Sequence, residues 1–181
     1  MDIAKEKILV YDVETTGLDA WTDEILQFSA CDGAGNKLMD TYIQPIKAKS
    51  WPDAMAVNGI TPSMVSAAPT MDELRPQIQR LFDAADLLVA YNNDFDNGFL
   101  SMAKVDVYSH TMYERDMMLE FARIYGEWSD YFGDYKWQKL VRAASYYGFD
   151  WGSYKAHDSM SDVYATLHVF NHIAVGDTMG K

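Results

Sequence analysis

Two acidic residues stand at the end of the first apolar run of this 181-residue chain. The run at residues 8–11 continues into Asp12 and Glu14, and a threonine–glycine turn follows. Side chains two positions apart on a strand point to the same face, so the two carboxylates share one face of the predicted strand. Carboxylates crowded in an apolar setting lose hydration and repel each other. The pair therefore indicates a site for positive charge, although a strand that ends in a solvated turn has the same pattern.

A second acidic group follows another apolar run, residues 87–91. Asp94 and Asp96 come soon after it, with Asn92 beside them. A calcium-binding loop that starts at Asn92 is excluded, because its sixth position lacks a glycine and its twelfth lacks an acid. A helix N-cap accounts for Asp94, since aspartate is a common cap, but it leaves Asp96 unexplained.

The third group lies near the end of the chain, where His157 precedes Asp162 by five positions. Residues five apart do not share one stripe of an ideal helix. Both side chains reach one site if His157 sits at the start of the helix and Asp162 projects from its second turn. A surface cap for the histidine and a solvated helix face for the aspartate are the alternatives.

Taken together, four carboxylates lie on or just after apolar elements that are expected to pack against one another: Asp12, Glu14, Asp96 and Asp162. Their mutual repulsion predicts bound divalent cations, and hard oxygen ligands suit Mg²⁺ or Mn²⁺. Two such ions roughly 4 Å apart stabilise the attacking and leaving oxygens of a phosphoryl transfer. Imidazole changes its protonation near neutral pH, so His157 is a candidate general base.

The elements that position these groups follow from the pattern of apolar residues and turns. Residues 8–11, 25–31 and 38–43 are predicted strands with short connections, which indicates antiparallel neighbours. Two further strands, at 87–91 and near 107–115, are predicted to pair in parallel through crossovers. Helices are predicted near 54–58, from about 70 to 82 with Pro76 inside, from about 95, over 117–125 and 136–147, and over 158–174. The expected fold is α/β, a mixed five-stranded sheet of three antiparallel strands and then two parallel crossovers, flanked by helices in one domain over residues 1–181.

Composition and charge set further expectations. A hydrophobic content of 49% indicates a globular protein. The single cysteine, Cys31, excludes an internal disulfide, and neither a secretory signal nor a membrane span is evident, so a cytoplasmic protein without membrane contact is expected. The net charge of −12 disfavours extended binding to duplex nucleic acid. The negative charge is a smaller obstacle for an enzyme that holds only a few nucleotides beside bound cations.

The three acidic groups resemble the DEDD exonuclease superfamily, in its histidine-bearing, DnaQ-like branch. Residues 12–18, Asp-Val-Glu-Thr-Thr-Gly-Leu, match the first motif, residues 92–100 match the second, and the 157–162 stretch matches the third. The resemblance extends over about residues 8–173. It implies a ribonuclease H-like sheet and a two-metal 3′→5′ exonuclease that releases nucleoside 5′-monophosphates from the 3′ end of single-stranded DNA or RNA.

The resemblance also implies residue roles. Asp12, Glu14, Asp96 and Asp162 would hold two Mg²⁺ or Mn²⁺ ions, with Asp12 bridging them, and His157 would be the general base. The residues implied at the terminal nucleotide are Thr15, Thr16, Gly17, Leu18, Asn92 and Phe95.

Several alternatives stay open. Tyr91 and Asn58 stand where the family often has histidine, which bears on substrate preference more than on activity. An oligoribonuclease-like enzyme acting on very short RNAs and a catalytically idle nucleic-acid-binding module are the alternative functions. A free-standing enzyme is expected rather than a polymerase subunit, because no long tail follows the last predicted helix, and the oligomeric state stays open. The aromatic segment 125–137 either stacks single-stranded bases or covers a core. His168 and His172 are spaced to ligate zinc, but no third ligand is evident, so surface or packing roles are expected for them.

Overall fold

A five-stranded sheet lies at the centre of the fold in the computed structural model, which describes residues 3–111, 113–152 and 156–179. The strands are β1 (Ile8–Thr15), β2 (Ile25–Asp32), β3 (Lys37–Tyr42), β4 (Leu87–Ala90) and β5 (Tyr113–Asp116), with a separate hairpin of β6 (Trp128–Ser129) and β7 (Asp134–Tyr135). The helices are α1 (Pro52–Asn58), α2 (Pro62–Val65), α3 (Met71–Ala84), α4 (Asn93–Met102), α5 (Met117–Tyr125), α6 (Leu140–Tyr146) and α7 (Ser159–Met179).

Strand β1 occupies the middle of the sheet, whose strand order is β3-β2-β1-β4-β5. The β1–β2 and β2–β3 pairs are antiparallel, whereas the β1–β4 and β4–β5 pairs are parallel. Strand β1 is apolar on both faces, so that Leu9 and Tyr11 join one core cluster and Ile8 and Val10 join the other. This arrangement confirms the predicted mixed sheet, and it places Asp12 and Glu14 on one face at the end of β1.

Helices cover both faces of the sheet. Helices α3 and α4 pack on the face of Tyr11, where the Phe82 ring meets the tyrosine ring edge-on at 5.0 Å. Helices α5, α6 and α7 cover the other face. A capping box opens α3, since the Thr70 backbone N–H donates to the Glu73 carboxylate at 2.7 Å, and the helix continues through Pro76 as predicted. Within the described ranges, no helix is both long and apolar enough to cross a bilayer.

Two predicted boundaries are wrong. Strand β5 begins only at Tyr113, because a polar turn interrupts the predicted 107–115 strand: the Asp106 carboxylate accepts the backbone N–H groups of Tyr108 and Ser109. Helix α6 begins at Leu140 instead of residue 136.

The later start of α6 has a physical reason in the hairpin that precedes it. The backbone N–H of Lys136 donates to the Glu127 carbonyl across the hairpin at 2.7 Å, so this residue is committed to the hairpin and unavailable to a helix. Strands β6 and β7 have two residues each, too few to show a period in the sequence.

Candidate active site

The end of β1 brings Asp12 into the interior. Its backbone carbonyl accepts a hydrogen bond from the Ser159 hydroxyl at 2.8 Å, which ties β1 to the first residue of α7. Its Oδ2 atom is buried and has no hydrogen-bond partner. Burial, followed by repulsion from Asp96 and Glu14, raises the pKa of Asp12 well above its usual value. A buried carboxylate oxygen without a hydrogen-bond partner is suited to binding a cation.

Helix α4 supplies Asp96, which is 1% exposed. Its Oδ1 atom accepts the backbone N–H of Val13 at 3.1 Å, so α4 is fixed to β1 between the two acids of that strand. Burial raises the pKa of Asp96 well above its usual value, the Val13 N–H offsets part of the rise, and repulsion from Glu14 adds to it. The hydrogen bond thus orients the carboxylate towards the other acids at an electrostatic cost.

The N-terminus of α4 is capped by Asp116, so the predicted cap role of Asp94 is wrong. The Asp116 carboxylate accepts the backbone N–H groups of Asn92 at 3.3 Å and Asn93 at 2.9 Å, whereas Asp94 is exposed. It also accepts the N–H of Met118 at the start of α5. Asp116 ends β5 beside β4 in a parallel pair, which is why an acid distant in sequence reaches this helix.

The third element contributes Asp162 from the first turn of α7, rather than from the predicted second turn, and His157 from the segment before it. The backbone N–H of His157 donates to Asp162 Oδ2 at 3.1 Å, and the other carboxylate oxygen, Oδ1, is buried without a partner. His157 has a φ of 64°, a left-handed conformation at the entry to the helix. An imidazole nitrogen of His157 and carboxylate oxygens of Glu14 and Asp162 all lie within 4.8 Å of one another. The structure therefore brings these three side chains to one point.

Charge crowding dominates the electrostatics of the site. Burial, followed by repulsion from Asp162, raises the pKa of Glu14 to about 8. Burial raises the pKa of Asp162 to about 7, with a further contribution from Asp158, although the His157 N–H lowers it. Oxygen ligands, one nearby imidazole and uncompensated negative charge fit a divalent metal ion. The residues present therefore suit the predicted metal site.

Two cavities meet at this acidic cluster. The first, of about 610 Å³, lies beside Glu14, and the second, of about 360 Å³, lies beside Asp12, His157 and Asp162. The residues that the sequence places at the terminal nucleotide line these cavities: Thr15, Thr16, Gly17, Leu18 and Phe95 line the first, and Asn92 lines the second. Ten of the eleven predicted site residues thus line the two cavities, and the eleventh, Asp96, is buried against β1 through the Val13 N–H.

A family model described as RNase_T, Exonuclease, matches residues 9–170, a span that contains every predicted catalytic residue. This chain belongs to that exonuclease family. The predicted resemblance to DnaQ-like exonucleases is confirmed, and so is the predicted enzyme class, a nuclease. The acidic cluster is accordingly the candidate active site of an exonuclease.

Individual relatives support the family and the fold. The "Uncharacterized exonuclease CP81" of Escherichia phage 186 is 34% identical over 175 residues, which are 91% of this chain and 87% of that protein. The PolC-type DNA polymerase III of Bacillus subtilis is 35% identical over 108 residues, 56% of this chain but only 7% of the polymerase. E. coli Exonuclease I in complex with a dA16 oligonucleotide has a TM-score of 0.72 at 22% identity, over 93% of this chain and 43% of that one. The zinc-bound form of its complex with single-stranded DNA has a TM-score of 0.70 at 23% identity, over 93% of this chain and 42% of that one. This likeness confirms the predicted ribonuclease H-like fold, and the chain spans less than half of Exonuclease I.

The exonuclease loop that carries Leu18 is held by Asp23, a residue that the sequence analysis missed. One Asp23 oxygen accepts the Thr16 hydroxyl at 3.2 Å, and the other accepts the Asp19 backbone N–H at 3.0 Å. A Cβ atom at Gly17 would overlap the Asp23 carboxylate, which explains the glycine. The loop is closed by side-chain contacts that the sequence does not reveal. The only indication of Asp23 in the sequence is that an acid stands just before the second strand.

Asn58, which stands where the family often has histidine, supports the first cavity of the exonuclease from α1. Its Nδ2 donates to the Thr15 carbonyl at 3.2 Å, and its Oδ1 accepts the Ile60 N–H at 3.0 Å. The asparagine therefore anchors the end of β1 to the helix that borders the cavity.

The histidine pair of α7 lies apart from the exonuclease site. The His168 Nε2 atom is 3.0 Å from the Tyr147 carbonyl, and the His172 ring stacks on the Tyr147 ring at 5.1 Å. The metal-binding group found among the described residues is the one at Glu14, and neither histidine belongs to it. These contacts favour packing over the zinc alternative.

We expect the metal-free exonuclease to be less stable at pH 8.5 than at pH 5.5, by roughly 2–5 kcal/mol. In the folded state the pKa values of Glu14 and Asp162 are about 8 and about 7, above those of an unfolded chain. The folded state therefore retains protons that the unfolded state loses. The resulting stabilisation is complete at low pH and disappears as the pH rises through 7 and 8. Urea unfolding in the presence of a chelator measures this difference.

A matched variant separates this effect from the general self-repulsion of an acidic protein. In Glu14→Gln the pH dependence should shrink, because one of the acids with a raised pKa is removed. Saturating Mn²⁺ should reverse the trend in the wild type, because the cation binds the ionised acids. Equal stability of the chelated wild type at both pH values would contradict the prediction.

Proposed function

We propose that this exonuclease removes nucleotides from the 3′ end of single-stranded DNA or RNA and releases nucleoside 5′-monophosphates, with two Mg²⁺ or Mn²⁺ ions in its site. The observation that carries the proposal is the buried acidic cluster, in which Asp12 and Asp162 each have an oxygen without a partner. Uncompensated buried carboxylates destabilise a fold, so they indicate cations in the working state.

The residues that would hold the ions are Asp12, Glu14, Asp96 and Asp162. Divalent cations bound there withdraw charge from the scissile phosphate and stabilise the attacking and leaving oxygens. The protein contributes mainly orientation. Ser159 fixes the backbone at Asp12, and the Val13 N–H fixes the Asp96 carboxylate.

His157 is the proposed general base. Its imidazole lies beside Glu14 and Asp162, and it lines the second cavity together with Asp12. The imidazole nitrogen accepts a proton from the attacking water, whose oxygen forms a bond to the phosphorus. The bond from phosphorus to the 3′ oxygen of the preceding nucleotide breaks, and that oxygen takes a proton from solvent. The terminal nucleotide then leaves with a 5′-phosphate.

The first cavity is the proposed seat of the terminal nucleotide. Its volume of about 610 Å³ falls in the range of small-molecule sites. Leu18, which is 87% exposed, lines this cavity on the loop that Asp23 closes, and the Phe95 ring lines it too. An apolar side chain this exposed gains by covering a nucleotide base. Solved complexes of Exonuclease I hold dA16 and dT13 oligonucleotides, which supports a single-stranded substrate.

Strand polarity and metal dependence can be tested with end-labelled 20-mers of DNA and RNA in Mn²⁺. A 5′-labelled strand should give a ladder that shortens from the 3′ end, and a 3′-labelled strand should release labelled mononucleotide at once. A chelator should stop both reactions. The DNA and RNA arms also establish substrate preference, which the sequence left open.

Early release of labelled mononucleotide from the 5′-labelled strand would contradict the proposed polarity. Hydrolysis of an RNA dinucleotide assayed in parallel, without hydrolysis of the 20-mers, would favour the oligoribonuclease-like alternative. Metal binding without cleavage of any of these substrates would favour the idle module. A cytoplasmic location stays a prediction.

A further inference from the structure

A hairpin of exposed aromatic side chains stands beside the candidate active site. This aromatic hairpin, residues 127–138, contains β6 and β7. Tyr131 and Phe132 form its tip, with exposures of 89% and 76%, and Trp137 at its base is 65% exposed. The predicted alternative that this segment covers a core is therefore wrong for these three rings. Large apolar side chains grouped on a surface mark a binding site.

The aromatic hairpin is ordered by its own hydrogen bonds. Across the strands the Trp128 and Tyr135 rings meet edge-on at 5.3 Å, and at the tip the Gly133 N–H donates to the Ser129 carbonyl at 2.8 Å. Gly133 has a φ of 65°, as a tight turn requires. A preformed aromatic surface loses little conformational freedom when it binds a flat ligand.

The base of the aromatic hairpin is joined to the catalytic region. The Gln138 carbonyl accepts the Tyr91 hydroxyl at 2.7 Å, just after β4. Trp137 lines the second cavity together with Asp12 and His157, and it also lines a cavity of about 400 Å³ that includes Phe132. A continuous path therefore runs from the acids past Trp137 to the tip.

The charges on the hairpin restrict what can lie along this path. Asp130 and Asp134 flank the exposed rings, and Lys136 is paired with Glu127 at 2.9 Å. Phosphates are therefore not attracted to this surface, whereas uncharged base faces are free to stack on the rings. Stacking on aromatic side chains is tolerant of sequence, because every base has a π-face.

We infer that the aromatic hairpin is a stacking platform for a single strand. The bases that stack on it belong to the part of the strand that leads away from the scissile phosphate, on the side opposite the terminal nucleotide. This inference rests on the proposed function. With the terminal nucleotide in the first cavity and the scissile phosphate at the acids, the remaining strand leaves through the second cavity. That cavity opens at Trp137, and the strand passes along Phe132 and Tyr131 with its phosphates turned to solvent.

The test compares hydrolysis of dT12 with hydrolysis of the dinucleotide dTpdT in Mn²⁺. The dinucleotide is too short to extend from the acids to the tip. In the double variant Tyr131→Leu, Phe132→Leu the ratio of kcat/KM for dT12 to that for dTpdT should fall about tenfold. The matched double variant Tyr131→Phe, Phe132→Tyr keeps both rings and should retain the wild-type ratio. Both positions are exposed, so folding does not limit the comparison.

Binding of fluorescently labelled dT12 in Ca²⁺, followed by anisotropy, separates this inference from the proposed function. The leucine variant should bind dT12 about tenfold more weakly than the aromatic variant does. An unchanged ratio and unchanged binding would overturn the platform and leave the hairpin as a surface for a protein partner. If no nucleic acid is hydrolysed by any form, the proposed function fails. Binding would then still decide the platform: weaker binding by the leucine variant supports it, and equal binding overturns it.

Discussion

Replacing Asp12 by asparagine should lower exonuclease activity by on the order of 10³-fold or more and, at the same time, make the metal-free protein more stable. The loss of activity follows because Asp12 lies close enough to Glu14, Asp96 and Asp162 to interact with all three, and it is one of the four acids that would hold divalent cations. An asparagine amide retains the shape of the side chain but supplies one neutral oxygen. The charge that compensates the cations is then lost.

The gain in stability follows from the same crowding. Wild-type Asp12 must either take up a proton on folding or remain as a buried charge, and both cost free energy at pH 8. Asparagine has neither cost, and its amide can donate to the neighbouring carboxylates. We expect a rise of about 2 kcal/mol in the free energy of unfolding without metal, in the range of other substitutions at strained active sites.

Urea unfolding with and without Mn²⁺ tests both halves of this prediction. In a chelator Asp12→Asn should unfold at higher urea than the wild type, and in saturating Mn²⁺ the order should reverse, because only the wild type gains the binding energy. Asp94→Asn is the matched control, since it removes an exposed charge near the site, and its activity should stay within a few-fold. A variant that is less stable than the wild type in the chelator would show that the acids are not crowded in the folded state.

The candidate site could be predicted from the sequence because each motif is local. Residues 12–18 lie at one strand end, Asp96 lies in the first turn of a helix, and residues 157–162 begin another helix. The alternation of side chains along β1 predicts that Asp12 and Glu14 point to the same face. Because β1 is apolar on both faces, it is expected in the interior of the sheet rather than at an edge. Each acid was therefore tied to an element whose place in the sheet followed from its neighbours.

The supporting contacts could not be predicted, because they join segments far apart in the chain. Asp116 caps α4 from β5, Ser159 holds the backbone at Asp12, and Asp23 closes the loop of Leu18. Polar residues of this kind look like ordinary turns and caps in the sequence. The aromatic hairpin was missed as an element for another reason, since its strands are too short for alternation to be visible.

Replacing His157 by glycine should lower the rate of hydrolysis about 10²- to 10⁴-fold, the usual contribution of a general base. Glycine suits the left-handed backbone at this position, where φ is 64°, so the variant should fold without strain. It also leaves space beside Glu14 and Asp162. Imidazole added to the solution should enter that space and restore part of the rate.

Mn²⁺ binding decides between two roles for His157. An imidazole nitrogen lies close enough to the carboxylates of Glu14 and Asp162 for the side chain to be either a general base or a metal ligand. A general base can be removed with little change in Mn²⁺ affinity, whereas a ligand cannot. We therefore expect calorimetric affinity within a few-fold of the wild type in both His157→Gly and His157→Asn, asparagine being another residue that tolerates this backbone. Activity should be lost in both variants, and imidazole should rescue only the glycine variant, since asparagine fills the space. Loss of affinity together with loss of activity would instead make His157 a ligand and leave the proton acceptor elsewhere.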